Sequence, residues 1–134
     1  MIRQINANDV DKHWDDVAPM LLRALENTKC NDYNIDDTYN FIRNRQWRLF
    51  VAEENGVIHG AAAVAFQQYP HDIVAYITVI GGKFISSKTI SRTFFDMLKA
   101  QGAQRVQGAC SPAIARLWRR IGLLPKYEIV EGTL

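Results

Sequence analysis

The stretch from Ile73 to Gln101 most constrains what this chain can fold into, because its pattern passes from strand to turn to helix. The apolar run Ile73–Ile80 predicts a buried strand, and a turn of small and polar residues follows it over 81–88. Apolar residues then recur at helical spacing as far as Leu98. This succession predicts one strand–turn–helix unit, around which the rest of the chain is arranged.

A turn of this kind can hold an anion. The first N–H groups of a helix have no partners inside the helix, and the helix dipole favours negative charge there. Lys83 and Lys88 flank the turn and add positive charge. An ordinary connection is the other reading, in which Ser86 or Ser87 serves only as the N-cap of the helix.

Length and composition indicate a single folded domain over residues 1–134, of which 48% are hydrophobic. No apolar run approaches the roughly 20 residues that cross a bilayer, and the N-terminus has no apolar signal-peptide core. We therefore expect no membrane association, and we expect the protein to be located in the cytoplasm of a bacterium or of a phage-infected host. Cys30 and Cys110 form neither a disulfide framework nor a metal site, so we expect two buried or half-buried thiols and no metal.

Charge is unevenly distributed although the net charge is only +2. Ten of the 14 acidic residues lie within residues 1–60, and nine of the 16 basic residues lie within residues 61–134. A polyanionic small ligand fits this bias, and a solvated basic helix face explains it equally well. We expect no nucleic-acid partner, since the chain carries no nucleic-acid motif and its aromatic residues are poorly interleaved with the basic ones.

The remaining elements follow from periodicity, turn residues and caps. They predict the order β-α-α-β-β-β-α-β-α-β, an α/β arrangement with an antiparallel front half and a strand–helix–strand crossover behind it. The elements are a weak first strand at 1–6, helices over Asp9–Asn27 and Asp36–Arg45, a hairpin of strands at 47–52 and 57–66 around Asn55-Gly56, the strand and helix of the 73–101 stretch, a strand at Arg105–Ala109, a helix from Ser111-Pro112 to Ile121, and a last strand at Tyr127–Val130.

Three segments resemble the GCN5-related N-acetyltransferase (GNAT) superfamily. The hairpin Leu49–Gly60 is similar to the family's second and third strands, which commonly read VAE-x-x-G-x-I-x-G. The segment Ser111–Leu123 is similar to the family's last helix, typically N-P-A-A-x-R-L-Y-x-x-x-G-F. Gln101–Val106 stands where the family has x-G-A before its fifth strand. The spacing between these segments also fits, so the resemblance extends over nearly the whole chain.

The resemblance implies a fold and an activity. The expected fold is a single-domain GNAT-like α/β fold, with a central mixed sheet splayed between strands 4 and 5 and helices on both faces. The expected reaction transfers an acetyl group from acetyl-CoA to a primary amine that directly attacks the thioester, the acceptor being unknown. Val79 and Ile80 would align the pantetheine arm, and the pyrophosphate would lie on Lys83, Ser86, Ser87, Lys88 and Thr89.

The phosphate loop departs from the family pattern. The family reads (Q/R)-x-x-G-x-(G/A), and the nearest equivalent here is Lys83–Lys88. Ser86 replaces the central glycine, and Lys88 replaces the last small residue. Glycine is used in such loops because the backbone must approach the phosphates without a Cβ in the way.

The catalytic positions depart as well. The family often uses a tyrosine on the last helix as the general acid for the leaving thiolate. Trp118 stands at that position here, and an indole N–H does not release its proton at useful pH. Tyr127 is the nearest replacement. Asp72, at the start of strand 4, and the neighbouring His71 are the candidates for the general base, unless a water serves.

The same departures support a second reading, a catalytically degenerate module of this fold with a binding or structural role. Short chains with an eroded loop resemble acetyltransferase-like phage proteins, some of which are virion or morphogenesis components. This reading predicts a cleft filled by Phe84 or Lys88. Relatives add a further strand after the last one predicted here, so we expect that sheet edge to be open or to be completed by a second subunit in a homodimer.

Overall fold

The computed structural model describes residues 1–28 and 32–134 and contains one five-stranded sheet with the strand order β1-β2-β3-β4-β5. The first three strand pairs are antiparallel, and β4 and β5 are parallel. The prediction of a mixed α/β fold is therefore confirmed. The strands are β1 (Ile2–Ile5), β2 (Arg48–Glu54), β3 (Val57–Gln68), β4 (Ile73–Gly82) and β5 (Arg105–Gly108).

Helices cover both faces of the sheet, as predicted. They are α1 (Val10–Glu26), α2 (Ile35–Arg43), the single turn α3 (Lys83–Ser86), α4 (Lys88–Ala100) and α5 (Pro112–Arg119). On one face, Val17 and Leu21 of α1 pack with Ile42 of α2 in an apolar cluster. On the other face, Phe84 and Phe94 belong to a second cluster that extends to Trp118 of α5. Within the described residues, no helix is both long and apolar enough to span a bilayer.

Local signals in the sequence account for several element boundaries. Asn55 and Gly56 have positive φ values of 52° and 78° in the β2–β3 turn, as an Asn-Gly hairpin turn requires. Ser87 and Ser111 are the N-caps of α4 and α5, each accepting a hydrogen bond from the backbone N–H three residues later. Gly102, with φ 108°, follows the end of α4.

The sheet opens between β4 and β5. Their residue pairing begins at Val74 with Arg105 and ends at Ile77 with Gly108, whereas β4 continues to Gly82. The β3–β4 register shifts at the same point, because Ala63 pairs with Val79 and Val64 pairs with Ile77, which leaves Thr78 as an extra residue in β4. Such a bulge bends its strand and increases its twist. The expected splay between strands 4 and 5 therefore begins at Thr78.

Three expectations were wrong. Residues 127–130 form no strand; Tyr127, Ile129 and Val130 are 72%, 77% and 90% exposed and pair with no neighbouring strand. Cys110 is exposed and not buried, because it lies in the short connection between β5 and α5, whereas Cys30 lies outside the described residues. The turn predicted over 81–88 is largely regular structure, because β4 continues to Gly82, Lys83–Ser86 forms one helical turn and α4 begins at Lys88.

Candidate functional site

The splay between β4 and β5 opens into a cavity of about 300 Å³. This volume is at the lower end of the range for small-molecule sites in proteins. Four parts of the fold meet there: the C-terminal half of α1, the outer half of β4, the β5–α5 connection and the first turns of α5. Its described lining is Met20, Arg23, Ala24, Leu25, Asn27, Thr28, Tyr33, Ile77 to Gly82, Ile85, Ala109, Cys110, Ser111, Ile114 and Trp118.

One wall of the cavity is an edge of β4 that pairs with no strand among the described residues. Val79 to Gly82 pair with β3 on one side, Thr78 is the extra residue of the bulge, and β5 has already diverged on the other side. Alternate residues of a strand direct N–H and C=O groups to opposite sides, so part of this backbone faces the cavity. Val79 and Ile80, which were predicted to align a pantetheine arm, lie in this wall.

Tyr33 reaches the inner end of the splay from the connection between α1 and α2. Its hydroxyl donates a hydrogen bond of 2.6 Å to the carbonyl oxygen of Thr78. The hydroxyl of Thr78 in turn donates to the carbonyl oxygen of Ala63, at 2.9 Å, so two side-chain hydrogen bonds hold the bulge. The Tyr33 ring packs edge-on against Trp47, with the ring centroids 4.9 Å apart, and this contact fixes the position of the ring.

Trp118 lies at the opposite side of the same inner end. Its six-membered ring covers Gly108 so closely that a Cβ at residue 108 would lie 2.4 Å from the nearest ring atom. Trp118 is only 5% exposed, and its indole nitrogen Nε1 is buried without a hydrogen-bond partner in the described structure. A buried N–H without a partner is unfavourable, so this nitrogen is an unsatisfied polar group in a residue that lines the cavity.

The cavity lining carries little charge. Arg23 is its one charged side chain among the described residues, and neither a carboxylate nor an imidazole lies there. Cys110 adds a thiol at the β5–α5 connection, and desolvation raises the pKa of that thiol. The thiol is therefore neutral at pH 7, and the site contains no carboxylate base within the described lining.

The predicted phosphate residues lie just beyond the cavity mouth and do not line it. Lys83 forms a long ion pair of 3.8 Å with Glu54 at the β2–β3 hairpin, and it begins the single turn α3. The hydroxyl of Ser87 caps the N–H of Ile90 at 3.4 Å. The backbone N–H groups of Lys88 and Thr89, in the first turn of α4, have no hydrogen-bond partner in the described structure.

The two side chains that a degenerate module would use to fill the cleft lie elsewhere. Phe84 is fully buried in the core, 4.7 Å from Phe94 between ring centroids, and does not line the cavity. Lys88 is exposed to solvent. Gly82, just before α3, has a φ of +67°, and a Cβ there would lie 2.3 Å from the carbonyl oxygen of His59 in β3, so no side chain fits at this position.

The predicted bases, Asp72 and His71, lie at the other end of β4. Asp72 is six residues before Thr78, about 20 Å away at the rise of an extended strand. Its carboxylate accepts two hydrogen bonds from Arg105, and this pairing holds its pKa below the usual range. His71 is exposed in the turn before β4. Neither side chain lines the cavity, so the structure does not bring them together with Val79 and Ile80.

Tyr127 lies in a second, wider groove of about 1100 Å³ between β5, α5 and the C-terminal residues. It is 72% exposed, and the groove also contains Arg105, at the same remote end of the sheet as Asp72. Cys110 and Trp118 line both the groove and the cavity. The structure therefore places the predicted acid Tyr127 outside the cavity.

Sequence reasoning missed Arg23 and Tyr33. Arg23 belongs to the last turn of α1, where a basic residue is explained by the helix dipole. Tyr33 follows α1 in a polar segment, and its partner Thr78 is 45 residues away. The sequence signal for Tyr33 was weak, because it is one aromatic residue in a polar connection. The bulge in β4 that it contacts was also not predicted from the sequence.

No protein-family model matches the sequence, and no curated protein matches it. Solved structures do match over the whole chain. A ribosomal-protein-alanine N-acetyltransferase from Brucella melitensis biovar Abortus 2308 is 12% identical, with a TM-score of 0.71, and covers 100% of this chain and 99% of its own. Glucosamine-6-phosphate N-acetyltransferase from Arabidopsis thaliana is 20% identical, with a TM-score of 0.64 and coverages of 99% and 97%.

A third match is a predicted acetyltransferase from Clostridium acetobutylicum in complex with acetyl-CoA, 17% identical, with a TM-score of 0.63 and coverages of 99% and 95%. Identities this low carry information about the fold alone. The mixed five-stranded sheet with parallel β4 and β5, covered by helices, agrees with that fold. The predicted resemblance is therefore confirmed at the level of the fold, and the chain has the fold of the GCN5-related N-acetyltransferases.

Proposed function

We propose that this protein is an N-acetyltransferase that binds acetyl-CoA in the cavity between β4 and β5 and transfers the acetyl group to a primary amine. The observation that supports this most is the free edge of β4 from Thr78 to Gly82, which borders an unfilled cavity of about 300 Å³. A linear chain with amide groups can pair with such an edge as a strand would. The proteins with this fold named above are acetyltransferases.

The residues present fit an acyl-pantetheine arm. Apolar side chains from three elements, including Leu25, Ile77 and Ile114, line the cavity around the polar backbone of Val79 and Ile80. The hydroxyl of Tyr33 and the thiol of Cys110 add polar groups to this lining. The cavity therefore combines apolar walls with a few polar groups, as small-molecule sites generally do.

The phosphates would lie outside the cavity, at the start of α4. The unpaired N–H groups of Lys88 and Thr89 point out of the first turn of a 13-residue helix, where the dipole favours an anion. Lys83, Ser86 and Ser87 stand next to these groups in the chain. Lys83 would exchange its weak, exposed pairing with Glu54 for a phosphate contact.

In the reaction, the acetyl thioester supplies the activated acyl group, and the amine attacks it directly. The chain contributes mainly by holding the two reactants at the inner end of the splay, which can supply a large part of the rate enhancement. The described lining offers no carboxylate that could take a proton from the amine, so water has that role. It also offers no counter-charge for a polycationic acceptor, and we expect acceptors with one amino group to be preferred.

Turnover tests the proposal. The release of free CoA thiol from acetyl-CoA is followed with a panel of primary amines: an aminoglycoside, glucosamine 6-phosphate, a peptide with N-terminal alanine, and a polyamine. Thiol release that depends on the protein and on one class of amine is expected. Acetyl-CoA that remains intact with every amine, in a sample that is folded by circular dichroism, would contradict enzymatic activity.

One observation favours the second candidate, a module of this fold without catalysis. In the segment after β4, some backbone polar groups form hydrogen bonds within the segment itself. Lys83–Ser86 forms the helical turn α3, and the hydroxyl of Ser87 accepts a hydrogen bond at the start of α4. Such a module would bind no acetyl-CoA. A partner that binds the protein equally well in the presence and absence of saturating acetyl-CoA would support it, together with failure of the turnover assay.

A further inference from the structure

The hydroxyl of Tyr33 is placed where β4 leaves β5. Thr78, whose carbonyl oxygen accepts its hydrogen bond at 2.6 Å, follows Ile77, the last residue of β4 that pairs with β5. The Tyr33 ring packs edge-on against Trp47, and Trp47 packs at a tilt against Phe41 of α2, with the ring centroids 4.6 Å apart. These contacts link the tyrosine to α2 and to the residue that precedes β2. Tyr33 therefore presents a fixed hydroxyl to the inner end of the cavity.

Few groups in the cavity can exchange a proton. Besides Tyr33, the titratable groups of the described lining are Arg23 on α1 and Cys110 in the β5–α5 connection, and the lining residues of β4 and α5 add none. A guanidinium such as that of Arg23 does not act as a proton donor in acid catalysis. Cys110 is exposed in the connection that also borders the second groove, whereas the Tyr33 hydroxyl lies where β4 and β5 diverge. Position therefore favours Tyr33 over Cys110 as the proton donor.

We propose that Tyr33 is the general acid of the acetyl transfer, an inference that rests on the proposed function. The amine nitrogen forms a bond to the acyl carbon while the carbon–sulfur bond breaks, and the electron pair of that bond passes to sulfur. The phenolic proton of Tyr33 passes to the sulfur and gives the free thiol. The phenolate then regains a proton through water from the acylated nitrogen, so the enzyme returns to its initial state.

The present hydrogen bond to Thr78 is compatible with this step. The proton turns from the carbonyl oxygen to a second acceptor by rotation about the bond between Cζ and the hydroxyl oxygen, with no displacement of the ring. The bond to Thr78 meanwhile fixes the hydroxyl oxygen at the open edge of β4. A phenol and a thiol have similar ordinary pKa values, about 10 and about 8.5, so transfer between them is nearly balanced.

Tyr33 also resolves the departure at the last helix. Trp118, at the position where the resemblance expects an acidic tyrosine, donates a hydrogen bond but does not release a proton. Tyr127, the replacement suggested by the sequence, does not line the cavity. Tyr33 approaches the same inner end from the opposite face of the sheet.

The test measures CoA binding by calorimetry between pH 7 and pH 9 and needs no acceptor. A donor that faces the sulfur stabilises the thiolate, so wild-type affinity for CoA should rise by a factor of about 3 to 10 over this range, as for a thiol whose pKa is lowered by up to one unit. In Tyr33→Phe this rise should disappear. Desulfo-CoA, which lacks the sulfur, should bind both proteins with no such rise.

Two controls separate the roles of neighbouring groups. Cys110→Ser and Tyr127→Phe should keep the wild-type pH dependence. Replacing Tyr33 with 3-fluorotyrosine keeps the hydroxyl and its bond to Thr78 but lowers the phenol pKa toward the tested range, where the residue loses the proton that it donates. The rise in affinity should therefore level off at a lower pH than in the wild type. An unchanged pH dependence would overturn the acid role, and this readout does not depend on the folding of Tyr33→Phe.

The outcomes distinguish the two proposals. CoA binding to Tyr33→Phe with an unchanged pH dependence, or an equal loss of affinity for CoA and desulfo-CoA, would overturn the acid role of Tyr33 and leave the proposed function standing. Absence of CoA binding to the wild type over the whole range would overturn both.

Discussion

Arg105 donates two hydrogen bonds, of 2.5 and 2.9 Å, to the carboxylate of Asp72. The pair joins the start of β5 to the start of β4, next to the residue pair Val74 and Arg105 where the parallel pairing begins. A bidentate guanidinium–carboxylate contact is geometrically specific as well as attractive. Asp72 therefore fixes the closed end of the β4–β5 pair, and the cavity occupies the open end.

The first prediction concerns this pair and acid. Arg105 holds the pKa of Asp72 below its ordinary value. The pairing therefore stabilises the folded state fully above about pH 4, and this stabilisation is lost as the pH falls through the lowered pKa. Asp72→Asn should lower the urea midpoint at pH 6 and should reduce the further loss of stability between pH 5 and pH 3. Denaturation at several pH values measures both effects.

Asp96→Asn is the matched control for this prediction, because Asp96 is exposed and has no ion-pair partner among the described residues. It should leave the urea midpoint nearly unchanged. Asp72→Asn should also keep the protein's affinity for acetyl-CoA. A large loss of affinity would mean that Asp72 acts on the site despite its distance from it.

The second prediction concerns the contact between Gly108 and Trp118. A methyl group at residue 108 would overlap the indole ring, and the ring is buried with little room to move. Gly108→Ala should destabilise the protein by about 1–3 kcal/mol, as overpacking of a core does. Gly132→Ala is the control, since nothing lies within 4 Å of the corresponding Cβ. Equal urea midpoints for the two variants would show that Trp118 is loosely held.

The third prediction uses Cys110 to obstruct the cavity. This exposed residue lines the cavity without supporting the core, so a large side chain can replace it without unfolding the protein. Cys110→Trp should weaken acetyl-CoA binding by about tenfold or more, a difference of ~1.4 kcal/mol, whereas Cys110→Ser should not. Calorimetry with acetyl-CoA compares them. Unchanged binding by the tryptophan variant would place the ligand elsewhere.

The fourth prediction concerns the start of α4. Ser87→Glu places a negative charge beside the unpaired N–H groups of Lys88 and Thr89, where the proposal places the phosphates. It should abolish acetyl-CoA binding by repulsion. Thr93→Glu adds the same charge to an exposed position of the same helix and should bind acetyl-CoA nearly as the wild type does. If both variants bind equally, the phosphates do not contact this turn.

The elements of the fold could be predicted wherever a local signal defined them. Asn55-Gly56 determined the hairpin, Ser111-Pro112 determined the start of α5, and the apolar run from Ile73 determined β4. The last strand was wrong, although Tyr127–Val130 has strand-forming residues, because a strand needs a partner edge and the chain does not pair there with β5. Sequence pattern alone does not contain that pairing.

The site was harder to predict than the fold, because its contacts join distant parts of the chain. Val79 and Ile80 were predicted from the family resemblance, and the structure places both in the cavity wall. The pairing of Asp72 with Arg105 over 33 residues, and the contact of Tyr33 with Thr78 over 45, depend on how the strands and helices meet. The apolar run from Ile73 to Ile80 also contains no sequence signal for the bulge at Thr78.

The central claim is that the open edge of β4 and the cavity beside it bind acetyl-CoA. Titration of acetyl-CoA into the wild-type protein, followed by isothermal calorimetry at pH 7.5, tests this most directly. We predict saturable binding of one molecule per chain that is lost in Ser87→Glu and retained in Thr93→Glu. The absence of binding at millimolar acetyl-CoA, in a protein that unfolds cooperatively, would contradict the account.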